Sequence, residues 1–141
     1  MSEPEFFKVS LKVVLRNDKG EKLLLLNPKI SSGSFDLPGG RINGDEIGLD
    51  VASIIGRELS EEIGDIRYEL NPSPIATGIG IGRRTGHPTF YLIFEGRFLS
   101  GKIETSAEHD GYRWVRDLPD TDYSNSGIDQ AVRNWKSLTA S

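Results

Sequence analysis

The stretch from Val51 to Ile63 constrains this chain more than any other. Its apolar residues, Val51, Ile54, Ile55, Leu59 and Ile63, recur at the spacing of one helix face. Asp50 in front is a good N-cap residue, and Gly64 behind is a good stop. A helix with one apolar stripe needs a surface to lie on, and its neighbours in the sequence read as strands. "FFKVSLKVVLR" (Phe6 to Arg16) and "EKLLLLN" (Glu21 to Asn27) flank a turn cluster, Asn17 to Gly20, and read together as a hairpin. "TFYLIFEGRFL" (Thr89 to Leu99) is the strongest strand, and "YRWV" (Tyr112 to Val115) is a short one. A second helix closes the chain, with Ile128, Val132, Trp135 and Leu138 on one stripe. Strands outnumber helices. The expected fold is therefore α/β in the α+β sense, a mixed sheet with helices packed on it, in one domain over residues 1–141.

The mid-chain helix also carries Glu58, Glu61 and Glu62. At about 100° per residue from Val51, Ile54 lies at about 300° and Ile55 at about 40°. Glu58 then falls at about 340°, Glu62 at about 20° and Glu61 at about 280°. Glu58 and Glu62 thus sit among the apolar positions, and as an i, i+4 pair of like charges they repel. Partial burial sharpens that conflict. Spacing alone leaves two readings open. One is an ordinary solvated acidic face. The other is a site for a hard divalent cation, Mg²⁺ or Mn²⁺, which binds through a few carboxylates plus substrate phosphates. Arg57, one turn before Glu61, is placed to orient it.

Composition narrows the choice of partner. The net charge of −4 argues against gripping duplex nucleic acid, which calls for a basic surface. A small polyanion bridged by metal to acidic side chains is compatible with it. With no cysteine, disulfides and thiolate zinc sites are excluded. No apolar run is long enough to span a membrane, and "MSEPEFFKVS" lacks the basic start and apolar run of a secretory signal. The expected location is cytoplasmic.

The segment from Gly40 to Ile66 resembles the Nudix box. Gly40 and Glu46 stand at that pattern's separation, and Arg57-Glu58-Leu59-Ser60-Glu61-Glu62-Ile63-Gly64 follows its second half. Ten residues separate Glu46 from Arg57, three more than the pattern has. We read these as an insertion before the helix, which bears on the role of Glu46 and leaves the register of the helical glutamates untouched. The pattern's terminal apolar position falls on Asp65, with Ile66 next. "LPGG" before the box, "EHDGYRWVRDLP" (Glu108 to Pro119) after it, and the closing helix extend the likeness over most of the chain. The resemblance implies an α/β/α sandwich that uses Mg²⁺ or Mn²⁺ to hydrolyse a nucleoside diphosphate linked to another group. It implies that Glu58 and Glu62 ligate metal, that Glu61 is a further ligand or the base, and that Gly40 offers its carbonyl. It also implies that Arg57 holds the carboxylates in place and that Glu108 is a late ligand or base, with Glu95 and Glu104 weaker competitors.

The remaining candidates concern substrate. Arg41, Arg83 and Arg84 suit phosphate, and Phe35 either stacks on a base or joins the core. "GIGIGRRTGHP" (Gly78 to Pro88) reads as a hairpin loop, since the Lys-Ser/Thr ending of a P-loop is missing. His87 and His109 lack partners at metal-ligand spacing. A nucleotide or related diphosphate is the expected small-molecule partner. A homodimer through strand exchange or sheet edges stays open beside a monomer. The competing function is a Nudix-fold module that senses a nucleotide without turning it over.

Overall fold

The computed structural model describes residues 3–28, 34–83 and 85–140. Among them, eight strands form one mixed sheet: β1 (Lys8–Arg16), β2 (Lys22–Leu26), β3 (Phe35–Asp36), β4 (Gly39–Arg41), β5 (Arg67–Leu70), β6 (Ala76–Ile81), β7 (Pro88–Ser100) and β8 (Gly111–Val115). The helices are α1 (Val51–Ile63) and α2 (Ser126–Thr139), and a short 3-10 turn covers Gly44–Glu46. No helix among the described residues is long and apolar enough to cross a membrane.

β1 runs parallel to β7 along its whole length, and the other pairings are antiparallel. Alternation along β1 divides its side chains between two cores. Leu11, Val13 and Leu15 join Ile54, Ile55, Leu59 and Ile63 of α1 on one face. Val14 joins Ile128, Ala131, Val132 and Trp135 of α2 on the other. The result is the α/β/α sandwich. Each fully buried Ile or Leu contributes about 2 kcal/mol, so the α1 stripe is well anchored. Asp50 caps α1 as expected, its carboxylate accepting the Ser53 N–H at 2.8 Å.

Three local expectations are corrected. The first hairpin holds only at its turn, where Arg16 faces Lys22. Beyond that β1 and β2 part: Val13 N–H bonds the Pro38 carbonyl at 2.9 Å, and β4 takes the edge of β1 from Ser10 to Lys12. The buried ammonium of Lys12 needs acceptors, and this intervening strap supplies them. Leu138 lies past the end of the apolar stripe of α2 and is 65% exposed.

The hairpin-loop reading of Gly78 to Pro88 holds for its later part, between antiparallel β6 and β7, but Gly78 to Ile81 belong to the strand. Side chains at Gly78 and Gly80 would collide with the backbone of α2 around Gly127. That closeness lets α2 bond the outer edge of β6 directly. Ser126 Oγ accepts from Ile81 N–H at 3.1 Å, Gln130 Oε1 accepts from Ile79 N–H at 2.8 Å, and Asn134 Nδ2 donates to the Thr77 carbonyl at 2.8 Å. Four helical residues rise about 6 Å and two strand residues about 6.7 Å, so every fourth side chain meets every second peptide. The ladder covers an edge that would otherwise invite strand pairing, and it fixes the start of α2 near the parted strands.

Candidate active site

Where β1 and β2 diverge, a polar cavity of about 680 Å³ opens. Glu58 and Glu62 of α1 line it, with Lys12, Asp36, Glu108 and Arg83 around them. The two glutamates lie against the Gly39–Gly40 strap. Gly39 N–H donates to Glu62 Oε1 at 3.0 Å. A Cβ on Gly40 would overlap the Glu58 carboxylate, and a Cβ on Gly39, whose φ is 126°, would strike the Leu11 carbonyl. The two glycines therefore let a single strap pass between β1 and α1.

Arg57 organises the acidic group. Its Nε and Nη2 make a two-pronged bond to the Glu46 carboxylate, at 2.6 and 2.7 Å. Nη2 also reaches Glu58 at 2.7 Å, and Nη1 reaches Glu61 at 3.1 Å. Glu46 is 6% exposed and accepts the Asn43 N–H at 2.9 Å as well. Glu46 thus delivers its carboxylate to Arg57 across the ten intervening residues.

Glu62 has the most perturbed environment of the three helical glutamates. Burial, reinforced by the nearby charge of Asp36, pushes its carboxyl up to about 7, while Lys12 and a bond from Gly39 oppose the shift. Beneath it lies a buried charged group that sequence reading passed over. Lys12 is 6% exposed and pairs with Asp36 Oδ1 at 3.0 Å. Burial alone would lower the pKa of this ammonium, but the charges of Asp36 and Glu62 outweigh it and hold the pKa above the ordinary range. His109, also buried, places Nε2 at 3.6 Å from Asp36 Oδ2, and its Nδ1 has no hydrogen-bond partner among the described residues. The signal that could have revealed this cluster was a lysine inside the apolar run "SLKVVL" facing the aspartate of "FDLPGG".

The other expected residues divide. Glu108 and Arg41 line the cavity, and so does Gly40. Arg83 does too, but its guanidinium is engaged: Nε donates to the Tyr123 carbonyl at 2.8 Å, and Nη2 bonds Asp129. Arg84 lies outside the described residues. Phe35 takes the core alternative of its two readings: its ring packs edge-on against Tyr123 at 6.2 Å, beside the α2 core, and it is not among the described residues lining the cavity. Glu61 does not line the cavity either. Its side chain is 63% exposed and turns toward Arg57.

The donor set suits a hard cation in kind. Glu58 and Glu62 are carboxylates on successive turns of one helix, facing one cavity, and Glu62 is desolvated with too little positive charge around it. Among the described residues no three carboxylate or imidazole side chains stand close enough together to hold an ion as they are. Arg57 draws Glu58 and Glu61 to one side while Gly39 holds Glu62, so a cation would have to gather them.

A carboxylate-bearing helix that faces a polar cavity on one side of a mixed sheet, with a second helix on the other side, defines a class, and comparison with known proteins agrees with it. The family model of the NUDIX domain matches residues 7–117. This chain belongs to the Nudix hydrolases. No curated protein matches it significantly in sequence. Among solved structures, the MutT protein from Methanosarcina mazei Go1 is similar, with a TM-score of 0.71 and 25% identity over 99% of this chain and 100% of the other. An ADP-ribose pyrophosphatase from Streptococcus suis 89-1591 shares the fold, with a TM-score of 0.65 and 18% identity over 95% and 92% of the two chains. So does the NUDIX domain of Shewanella oneidensis NrtR, solved in complex with ADP ribose, with a TM-score of 0.64 and 15% identity over 94% and 88%.

Proposed function

We propose that this protein hydrolyses the pyrophosphate bond of a nucleoside diphosphate linked to another group, using Mg²⁺, with Mn²⁺ as a substitute. One observation carries the reading. Glu58 and Glu62 face the same polar cavity across the Gly39–Gly40 strap, with Arg57 gripping the neighbouring carboxylates. Glu58 and Glu62 would hold the cation, with Glu108 and the Gly40 carbonyl as further ligands. An ion held there would lower the pKa of a bound water and offset the charge on the phosphates.

The chain's own groups do the rest. Two carboxylates are candidates to take the proton from the attacking water: Glu108, which lines the cavity, and Glu61, which would have to swing from its bond with Arg57 to reach it. The water oxygen bonds to phosphorus, the bridging P–O bond breaks, and its electron pair leaves with the departing phosphate. Arg41 at the cavity wall offers positive charge to the phosphates or the distal group, and Arg83 would add only the part of its guanidinium that Tyr123 and Asp129 leave unbonded. The absence of cysteine suits a cytoplasmic setting.

The sensor reading has the ADP-ribose-bound NrtR domain as its precedent. A sensor has no need of the full Arg57, Glu58, Glu61 and Glu62 set, which this chain retains. The test is a metal-dependent screen over nucleoside triphosphates, oxidised nucleotides, nucleotide sugars, dinucleoside polyphosphates and ADP-ribose, with the nucleoside monophosphate and its partner product, resolved by anion-exchange chromatography, as the readout. Glu58→Gln and Glu61→Gln are run beside the parent and should each lose about 10²–10⁴-fold. Equal turnover by all three overturns the mechanism. Tight nucleotide binding without turnover establishes the sensor.

A further inference from the structure

The Lys12 ammonium has three donors and three buried acceptors: Asp36 Oδ1 at 3.0 Å, the Leu37 carbonyl at 3.1 Å and the Gly39 carbonyl at 3.2 Å. It has no donor left for a substrate phosphate, although it lines the cavity. Its three partners fall within four consecutive residues of the strap, Asp36 to Gly39. The last of them, Gly39, is held at both ends: its carbonyl accepts from Lys12, and its N–H donates to Glu62. The strap has almost no side-chain anchorage of its own at this point, because Gly39 and Gly40 can carry no Cβ between β1 and α1. Leu37, buried in the α2-side core, and the β2–β3 pairing at Asp36 anchor the start of the strap; at Gly39 itself what remains is main-chain pairing with β1, the bond to Glu62 and this one cation. A buried ammonium left unpaired is costly, so the arrangement resists distortion from either side.

We propose that Lys12 is a positioning residue: it locks the Asp36–Gly39 strap so that the Gly39 amide holds the Glu62 carboxylate toward the cavity. The proposal rests on the reading of Glu62 as a metal ligand and extends it to a residue outside the Nudix box. Lys12 acts through Gly39 and touches neither substrate nor metal.

The test uses Lys12→Met, Lys12→Arg and the charge-balanced double variant Lys12→Met/Asp36→Asn, which keeps a folded protein in hand if the single change unfolds it. Two properties are measured on the full chain without substrate: hydrogen exchange at the Gly39 amide in metal-free protein, and Mn²⁺ affinity by calorimetry. In Lys12→Met and the double variant, Gly39 should exchange faster and Mn²⁺ should bind about tenfold more weakly, as when other outer supports of metal ligands are removed. Lys12→Arg, which retains charge and donors, should fall closer to the parent on both. Unchanged Gly39 protection in a folded Lys12→Met or double variant overturns the proposal. So does lost protection with unchanged Mn²⁺ affinity. If the parent itself binds no Mn²⁺, the metal reading of α1 fails, and the Gly39 measurement still decides whether Lys12 governs the strap.

Discussion

Gly40 leaves no room beside Glu58: a Cβ on the glycine would overlap both oxygens of the carboxylate. The backbone of Gly40 is not in the left-handed region, so alanine is conformationally acceptable there and the conflict is confined to one side chain. Gly40→Ala should push Glu58 out of place while the fold survives. We expect a loss of about 10²-fold in hydrolysis, the scale of a 1 Å misplacement, with little change in thermal midpoint. Gly39→Ala is the contrast. It would strain a residue at φ 126° and strike the Leu11 backbone, so it should cost about 3 kcal/mol or more in urea unfolding. If Gly40→Ala retains full activity, Glu58 has no fixed position to lose.

Arg57 is the second point of control. Its planar head serves Glu46, Glu58 and Glu61 together, which a lysine cannot reproduce. Arg57→Lys and Glu46→Gln should each reduce turnover by about 10–100-fold, with Arg57→Lys the more severe. Both should act mainly on kcat, because the groups they misplace touch the reacting centre and not the distal part of the substrate. Steady-state kinetics with the substrate found by the screen would show this. A rise in KM at constant kcat would instead place Arg57 among the substrate-binding residues.

Much of this was legible in the sequence, and the gaps have physical causes. The bounds of α1 could be read because cap, stripe and stop agree on the same thirteen residues. Glu58 and Glu62 could be placed because helical geometry is rigid over one turn. Glu61 was placed less well, since angle alone does not say whether a long side chain follows an arginine away from the cavity. The Lys12–Asp36–His109 group was missed because it joins β1, β3 and the loop before β8, three segments with no local signature in common. The splayed hairpin was missed for the same reason: the strap between β1 and β2 comes from farther along the chain. Gly78 and Gly80 looked like loop residues because their partner, α2, lies about fifty positions on, and a strand glycine serving a helix backbone cannot be told from a turn glycine by composition.

The buried pair below the site should govern acid stability. Burial would raise the Asp36 carboxyl, but the charge of Lys12 and bonds from His109 and Lys12 prevail and hold it below its ordinary 3.8. A carboxyl depressed in the folded state binds fewer protons there than in the unfolded chain. Its contribution is therefore complete above the unfolded value and is lost as pH falls through the lower folded value. Asp36→Asn should flatten this part of the stability profile below about pH 4. At neutral pH it should cost about 3–5 kcal/mol by stranding Lys12, and the double change Lys12→Met/Asp36→Asn should recover much of that. Urea unfolding across the pH range measures both effects. A single variant as stable as the parent at neutral pH would mean the pair contributes no net stability.

Glu62 reverses that sign, and the reversal gives the metal reading a signature independent of turnover. Its carboxyl is raised from 4.5 to about 7, chiefly by burial, so the folded, metal-free protein holds a proton there that the unfolded chain has already released. For this group stability is greatest below the unfolded value and declines as pH rises through about 7. A cation needs the carboxylate ionised, so binding must expel that proton. At about pH 6, calorimetric titration with Mn²⁺ in buffers of different ionisation enthalpy should show release of nearly one proton from this site, and at about pH 8 almost none. Apparent affinity should fall by up to about tenfold for each pH unit below 7. Glu62→Gln should abolish the proton release and weaken binding at every pH. Affinity that stays level from about pH 5.5 to 8, with no proton exchanged, would mean that the Glu62 carboxyl is already ionised without metal; level affinity together with undiminished binding in Glu62→Gln would remove Glu62 from the ligand set.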